Sequence, residues 1–230
     1  MQVLNLGKFQ IYNCLEIPFK ASWFPAGESF VRLETPIKTT RLKILTRLNS
    51  SNDILQLMMA VDALRRQGVK HIECLIPYLC YSRQDRMCNL GESFSLKVFA
   101  NLLNSLKLDK ITTFDVHSSI SEVLIDNLEN IDNSDFIHNV FKTIHQDRLN
   151  IICPDFGASK KIYPLLSQFS NYEFNLVICS KERDLKTTEI TRTVVPKIEN
   201  NWYSIIIDDL CDGGLTFLKI AEEMRKNGNS

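Results

Sequence analysis

Short apolar segments of β type alternate along this chain with segments of helical periodicity. Residues 41–48 form one apolar segment, and apolar residues then recur every three or four positions over 53–67. This order predicts a strand followed by a helix that stops near Gly68. The alternation continues with strands at 71–78, 110–117, 150–154, 174–180 and 202–209, and helices at 94–106, 135–146, 157–168 and 214–226. Strands that alternate with helices predict an α/β fold with mostly parallel sheets.

The strand–helix pattern occurs as two series, which predicts two similar α/β domains. We place them at residues 1–135 and 136–230, with the polar segment 127–135 as the linker. A chain of 230 residues with 44% hydrophobic residues has enough apolar material for either one large or two small cores.

The charge of the chain is balanced, with 27 Lys and Arg against 27 Asp and Glu. No global field therefore indicates a nucleic acid or a membrane as partner. No apolar run reaches the roughly 20 residues of a membrane helix, and the first residues lack the apolar core of a signal peptide. The seven cysteines form no Cys-x-x-Cys pair, so we expect reduced thiols in a cytoplasmic protein.

Polar residues follow most of the predicted strands. In open α/β sheets, ligands bind beyond the carboxyl ends of the strands. The segments to which this applies are 83–85, 115–117, 155–157, 181–183 and 208–216. Because all five segments are polar and follow predicted strands, we predict that they form one composite site.

The segment 208–216 carries the most specific local pattern. Asp208 and Asp209 follow an apolar strand, and Gly213 and Gly214 precede a helix. Glycines and a helix N-terminus favour an anion, whereas carboxylates suit sugar hydroxyls or a metal. The pattern is therefore typical of a ribose 5-phosphate site, although an acidic turn with glycines for geometry also fits these residues taken alone.

The loop resembles the phosphoribosyl-diphosphate motif of phosphoribosyltransferases and ribose-phosphate pyrophosphokinases. Other segments resemble the pyrophosphokinases, in that family's order: 24–28 (FPAGE), 51–86 ending in Tyr-Ser-Arg-Gln-Asp-Arg, 112–119 (TTFDVHSS), 153–161 (CPDFGASKK) and 181–183 (KER). Phosphoribosyltransferases share only the loop and the general fold, and they need a base-recognition hood that this sequence does not show. The resemblance therefore favours the pyrophosphokinases over the length 24–228.

The resemblance implies two phosphoribosyltransferase-like domains, the first on the ATP side and the second carrying the ribose-phosphate loop. It also implies Mg²⁺-dependent transfer of diphosphate from ATP to ribose 5-phosphate, for nucleotide or NAD biosynthesis. The adenine pocket of this family is completed by a neighbouring subunit, so a homo-oligomer is expected.

Site residues follow from the matched motifs. They are Lys181 and Arg183 for catalysis; Phe24, Ala26, Gly27, Glu28, Arg83 and Gln84 for ATP; Asp208, Asp209, Asp212, Gly213, Gly214, Leu215 and Thr216 for ribose phosphate; and His117 and Asp155 for the metal. Because Mg²⁺ prefers oxygen ligands, His117 is expected to hold it weakly or through the substrate.

Some nearby residues keep a second interpretation. Lys160 and Lys161 are either cation partners of the site or part of a solvated helix face. Asp85 is interpreted as a structural partner of Arg83 or Arg86.

Three departures from the family pattern bear on function. Ala26 stands where the family usually has Asp, which removes an acceptor for the adenine amino group. Gly213 replaces a hydroxyl residue and Leu215 adds bulk, so a larger acceptor such as ADP-ribose is an alternative.

The chain stops at Ser230, where family members usually continue, so the second domain is expected to be short at its C-terminus. A non-catalytic relative that co-assembles with an active synthetase is a further alternative.

Overall fold

A computed structural model describes residues 2–183 and 190–226, with the side chains of 181–183 and 190–192 outside that description. The chain divides into two compact units, Met1–Asn133 and Ser134–Ser230. The sequence-based boundary, after residue 135, falls two positions further along. Each unit has its own sheet and core.

The first unit is an α/β layer structure with an added hairpin. Its elements are β1 (Gln2–Asn5), β2 (Leu15–Glu16), β3 (Phe19–Trp23), β4 (Ser29–Leu33), β5 (Arg41–Leu45), α1 (Ser51–Arg66), β6 (His71–Leu75), α2 (Ser95–Ser105), β7 (Lys110–Phe114), α3 (Ile120–Leu124) and β8 (Leu128–Ile131). Six strands form one sheet in the order β2-β1-β5-β6-β7-β8, and every pair in it is parallel. The predicted parallel α/β architecture is confirmed.

Helix α1 shows why the local sequence adopts this structure. The Ser50 side chain accepts a hydrogen bond from the backbone N–H of Asp53, and the Asp53 carboxylate accepts one from the backbone N–H of Ser50. This capping box satisfies donors that a helix start leaves open. Ile54, Leu57 and Leu64 are at most 8% exposed and join the core. The helical spacing read from the sequence thus predicts the buried face of α1.

The predicted linker was wrong in its middle part. Leu128–Ile131 forms strand β8 and pairs with β7. Glu129 faces outward and receives hydrogen bonds from Lys110 and Thr112 on the neighbouring strand. An edge strand with polar residues at two of its four positions resembles a linker in sequence, because only its neighbour in the sheet reveals the pairing.

The second unit contains a smaller parallel sheet. Its elements are α4 (Ser134–Thr143), β9 (Arg148–Cys153), α5 (Phe156–Leu166), β10 (Glu173–Ile178), β11 (Ser180–Arg183), β12 (Ile190–Val194), β13 (Tyr203–Ile206) and α6 (Leu215–Lys226). Within the described residues, β10-β9-β13 form the parallel sheet, and β11 and β12 form an antiparallel hairpin that the sequence did not predict.

An aromatic cluster fills the core of the second unit. Phe141 is fully buried, and its ring centroid lies 5.2 Å from that of Phe169 and 5.3 Å from that of Tyr172. This packing holds α4 against the segment that leads into β10. In the part of the chain that the structure describes, no helix combines the length and apolarity needed to cross a membrane.

Candidate functional site

The loop after β13 lies at the carboxyl edge of the second sheet. Ile207 is buried, and its N–H donates to the carbonyl of Ile152 on β9, which carries the chain directly into Asp208. Gly214 has φ +74°, in the left-handed region that favours glycine. The next residue, Leu215, begins α6, so the unpaired N–H groups of the first helical turn follow the loop.

The space beside the two glycines of this loop is open. A Cβ added at Gly213 or Gly214 would meet no atom within 4 Å. Asp212 is exposed, Thr216 is half-buried, and the Leu215 side chain is 58% exposed. The loop therefore presents backbone donors and open volume, as an anion-binding turn requires.

Asp208 and Asp209 differ in their surroundings. Lys161 Nζ lies 2.8 Å from Asp209 Oδ2, and the Asp209 side chain is only 9% exposed. The backbone N–H of Asp209 donates to Asp208 Oδ1 at 3.0 Å. Burial raises the pKa of Asp208 to about 6, and the charges of Asp209 and Asp155 add to this effect. The carboxylates of Asp208 and Asp209 thus lie in the same region as Lys161. An added cation or hydroxyl donor would stabilise the ionised form of Asp208.

The sequence left two roles open for Lys161, and the structure shows that this lysine pairs with Asp209. No sequence signal could have shown this contact. Lys161 lies on α5, which follows β9, and Asp209 follows β13, so the contact depends on β9 and β13 lying side by side. By contrast, Lys160 Nζ lies 5.1 Å from the ring centroid of Phe156.

Asp155 lies two residues after the end of β9 and directly before α5. Its Oδ1 accepts a hydrogen bond from the backbone N–H of Ala158 at 3.0 Å, as an N-cap does. A Cβ at Gly157 would lie 3.2 Å from that oxygen, so a larger residue there would crowd the cap. Because the charge of Asp155 contributes to the raised pKa of Asp208, the two carboxylates lie within electrostatic range of each other.

In the first unit, Arg83 and Gln84 lie exposed on the loop after β6. Gln84 N–H donates to the carbonyl of Tyr81, which has φ +65°. Asp85 accepts two hydrogen bonds from Arg86, at 2.7 and 2.9 Å, which confirms the pairing expected between these residues. The Arg86 hydrogen bond is the main cause that lowers the pKa of Asp85 to about 2.

The segment 24–28 forms the turn between β3 and β4. Phe24 and Glu28 are joined by a backbone hydrogen bond of 2.9 Å, and Gly27 has φ +89°. Phe24 is 53% exposed, with its ring centroid 5.8 Å from that of Phe30. The turn offers an exposed aromatic face, while Ala26 offers no side-chain acceptor.

His117 is exposed on the loop after β7, in the first unit. Among the residues described, no three or more His, Cys, Asp or Glu side chains come together as a metal-binding group. Mg²⁺ commonly uses one or two protein carboxylates, with waters and substrate phosphates completing its shell. The oxygens of Asp155 and Asp208 fit that requirement, whereas the nitrogen of His117 is a less usual ligand.

Lys181 and Arg183 belong to strand β11, which pairs with β12. Their side chains lie outside the described part of the structure, so their predicted catalytic role stays a prediction.

Comparisons with a family model and with individual known proteins point to the same family. Residues 9–106 match the family model for the N-terminal domain of ribose phosphate pyrophosphokinase. A ribose-phosphate pyrophosphokinase from Pyrococcus abyssi is 31% identical over 221 residues, which cover 94% of this chain and 73% of that protein. One from Prochlorococcus marinus is 28% identical over 216 residues, which cover 93% of this chain.

The chain spans 65% of that Prochlorococcus protein and 61% of a Mycoplasma genitalium relative of the same name. Among solved structures, a phosphoribosylpyrophosphate synthetase from Mycobacterium smegmatis superposes with a TM-score of 0.77 at 18% identity. The superposition covers 98% of this chain and 77% of the other, and it shows a shared fold.

Proposed function

The chain belongs to the ribose-phosphate pyrophosphokinase family, and on that premise we propose that it transfers a diphosphate group from ATP to ribose 5-phosphate. The ribose 1-hydroxyl attacks the β-phosphorus of ATP and loses its proton, and the bond from that phosphorus to the α-phosphate oxygen breaks. The products are phosphoribosyl diphosphate and AMP. The observation that carries this proposal is the loop after β13, where two carboxylates precede a glycine turn and the start of α6.

The acceptor side of the reaction is built from the second unit. Backbone N–H groups from Gly213 to Thr216 bind the 5′-phosphate at the positive end of the α6 dipole. Asp208 and Asp209 accept hydrogen bonds from the vicinal ribose hydroxyls. Lys161 offsets the charge of Asp209 at 2.8 Å, so the phosphate does not meet two uncompensated carboxylates.

The donor side uses residues of the first unit. Arg83 and Gln84 bind ATP, with a guanidinium that presents several donors to phosphate or purine. The turn from Phe24 to Glu28 contacts the adenine ring, and its exposed aromatic face suits a neighbouring subunit of a homo-oligomer.

Lys181 and Arg183 supply the positive charge that the transferring diphosphate needs. In the second unit Asp155 would act as a ligand of Mg²⁺, and in the first unit His117 would do so. Bound Mg²⁺ would supply positive charge to offset the negative charge of the phosphate groups. Asp155 already has its oxygen oriented by the cap of α5, which fixes where that ligand sits.

The proposed reaction is tested by following AMP release from ATP and Mg²⁺. Wild-type protein incubated with ribose 5-phosphate is expected to release AMP and to form a product with a 1-diphosphate, identified by phosphorus NMR. AMP release that does not depend on any added acceptor would contradict a transfer reaction. No release with any acceptor would favour the non-catalytic, co-assembling relative.

A second acceptor is favoured by apolar surface near the ribose-phosphate loop. Leu215 is 58% exposed, Leu218 on the next helical turn is 62% exposed, and Phe156 at the start of α5 is 64% exposed. A bare sugar phosphate has nothing apolar to place against these side chains, whereas the adenosine group of ADP-ribose does. The same assay with ADP-ribose separates the two: turnover with ribose 5-phosphate alone would reject this alternative.

The glycine turn gives a prediction with a matched control. Gly214→Val and Gly68→Val both force a β-branched residue into positive φ, at +74° and +89°. We expect each to cost about 1–3 kcal/mol of stability. Only Gly214→Val should also raise the KM for the acceptor, by about 10- to 100-fold, because Gly214 belongs to the proposed ribose-phosphate loop, whereas Gly68 follows α1 in the first unit and is not part of that loop.

Thermal unfolding and acceptor titrations measure the two effects separately. An equal rise in KM for both valine variants would show that the loss comes from stability and not from the loop.

A cytoplasmic location is proposed from the cysteines. All seven are free thiols, and burial raises the pKa of Cys74, Cys80 and Cys153 to about 12. Such thiols are weak nucleophiles, as expected of structural cysteines in a reducing compartment.

A further inference from the structure

Asp85 links two loops of the first unit. It lies on the loop after β6, and its side chain is 12% exposed. Besides its two hydrogen bonds from Arg86, its Oδ2 accepts one from Ser118 Oγ at 2.7 Å. Ser118 lies on the loop after β7 and is 7% exposed. The contact therefore joins the carboxyl ends of neighbouring strands through a short hydrogen bond to a charged group.

The loop that receives this contact is held along its length. Asp115 adopts φ +43°, its N–H donates to Ile131, and its carboxylate accepts a hydrogen bond from Asn133. Val116 is 4% exposed, and its N–H donates to the side chain of Asn130. A non-glycine residue at positive φ persists only where surrounding contacts hold it, so this backbone has one defined path.

His117 lies between two buried residues on this path. Val116 precedes it and Ser118 follows it, while the His117 side chain is exposed. Ser118 Oγ also accepts a hydrogen bond from the N–H of Ile120 at the start of α3. Besides the larger effects of the hydrogen bonds from Arg86 and Ser118, the charge of His117 makes a small contribution to the lowered pKa of Asp85.

We propose that the hydrogen bond from Ser118 to Asp85 is a positioning contact, which holds His117 on one loop in register with Arg83 and Gln84 on the other. The proposal rests on the function proposed above, where these three residues bind Mg²⁺ and ATP. Asp85 and Ser118 are positioning residues, since they act through their neighbours. The Arg86 side chain is 70% exposed and anchors the carboxylate from the solvent side.

We expect loss of the hydrogen bond between Ser118 and Asp85 to affect MgATP binding more than folding. Ser118→Ala removes the donor but leaves Asp85 paired with Arg86, so no charge is left uncompensated. A hydrogen bond to a charged group corresponds to about 10- to 100-fold in an equilibrium constant. We expect Ser118→Ala to weaken MgATP binding by about 10-fold, measured by calorimetry without acceptor.

Ser105→Ala is the matched control. Ser105 Oγ donates to the carbonyl of Leu102 at 2.6 Å, so this variant also loses a short hydroxyl hydrogen bond within the first unit. It is expected to leave MgATP affinity within about 2-fold of wild type. An equal loss in both serine variants would mean that the effect is general and would overturn the proposal.

A double-mutant cycle tests whether Asp85 and Ser118 act together. Asp85→Asn keeps an acceptor oxygen but weakens both contacts, and it should also lower MgATP affinity by about 10-fold. The double variant should lose no more than the worse single variant, because both remove one shared contact. Losses that multiply would show that the two residues act independently and would refute the coupling.

The position of His117 has a readout that does not depend on activity. The imidazole Cε1–H signal in NMR, assigned with His117→Gln, should shift in Ser118→Ala and Asp85→Asn but stay in place in Ser105→Ala. An unmoved signal in the first two variants would sink the positioning role. If the wild type transfers diphosphate to no acceptor, the proposed function fails, while the NMR signal and the binding cycle still decide this inference.

Discussion

Replacing Lys181 with alanine is expected to lower the rate of diphosphate transfer by about 10³- to 10⁵-fold, the range that a cation on a transferring phosphoryl group supplies. Phosphoryl transfer depends on positioning and on neutralising charge that grows as the bond to the leaving group breaks. Lys181 belongs to the segment 181–183, whose resemblance to the start of the family's catalytic loop motivates its role. AMP release under saturating ATP and acceptor measures the loss.

A matched control for this variant is Lys142→Ala. Lys142 is an exposed lysine in the last turn of α4, in the same unit, and its replacement should leave turnover within about 2-fold. The oligomeric state of Lys181→Ala, measured by analytical ultracentrifugation, should equal that of the wild type. Unchanged turnover in Lys181→Ala would refute the assigned catalytic role.

Asp208→Asn is expected to make the protein more stable and less active. If Asp208 binds ribose hydroxyls as a carboxylate, the loss of a charged hydrogen bond should lower kcat/KM for the acceptor by about 10- to 100-fold. Stability should move in the opposite direction, because burial and the neighbouring charges of Asp209 and Asp155 oppose ionisation of Asp208. An uncharged amide avoids that opposition.

The pH dependence follows from the sign of the pKa shift. The pKa of Asp208 rises from 3.8 to about 6 on folding, so the folded state holds the proton more tightly than the unfolded state. Stability of the wild type therefore falls as pH rises through this interval, and the full cost remains above it. The stability gain of Asp208→Asn should be present at pH 7 and should vanish near pH 4. Acceptor binding by the wild type should weaken as pH drops below about 6.

Urea unfolding at several pH values and acceptor titrations measure these effects. Asp147→Asn, an exposed aspartate of the same unit, should change neither quantity. A stability loss at pH 7 in Asp208→Asn would show that its carboxylate is stabilised in the fold and would contradict the assigned electrostatics.

The alternation of the longer strands and helices from residue 41 onward was predictable, because each depends on contacts close in sequence. The capping box at Ser50 and the buried spacing of Ile54 and Leu57 lie within one helix, so local pattern sufficed. The pairing of Asp85 with Arg86 also joins sequence neighbours. Strands β1 to β4, helix α3, the edge strand 128–131 and the hairpin β11–β12 were missed, because short elements gain most of their stability from neighbours that are distant in sequence.

The sequence by itself determined the parallel α/β class, the family and the residues that follow each strand. These depend on periodicity, on glycine and on motifs a few residues long. The structure alone decided that Lys161 pairs with Asp209, that the pKa of Asp208 is raised, and that Ser118 donates to Asp85. The two contacts join residues that are 30 to 50 positions apart in the sequence, and the raised pKa depends on burial. The physical reason is that such contacts and such burial arise only when strands lie side by side in the folded sheet.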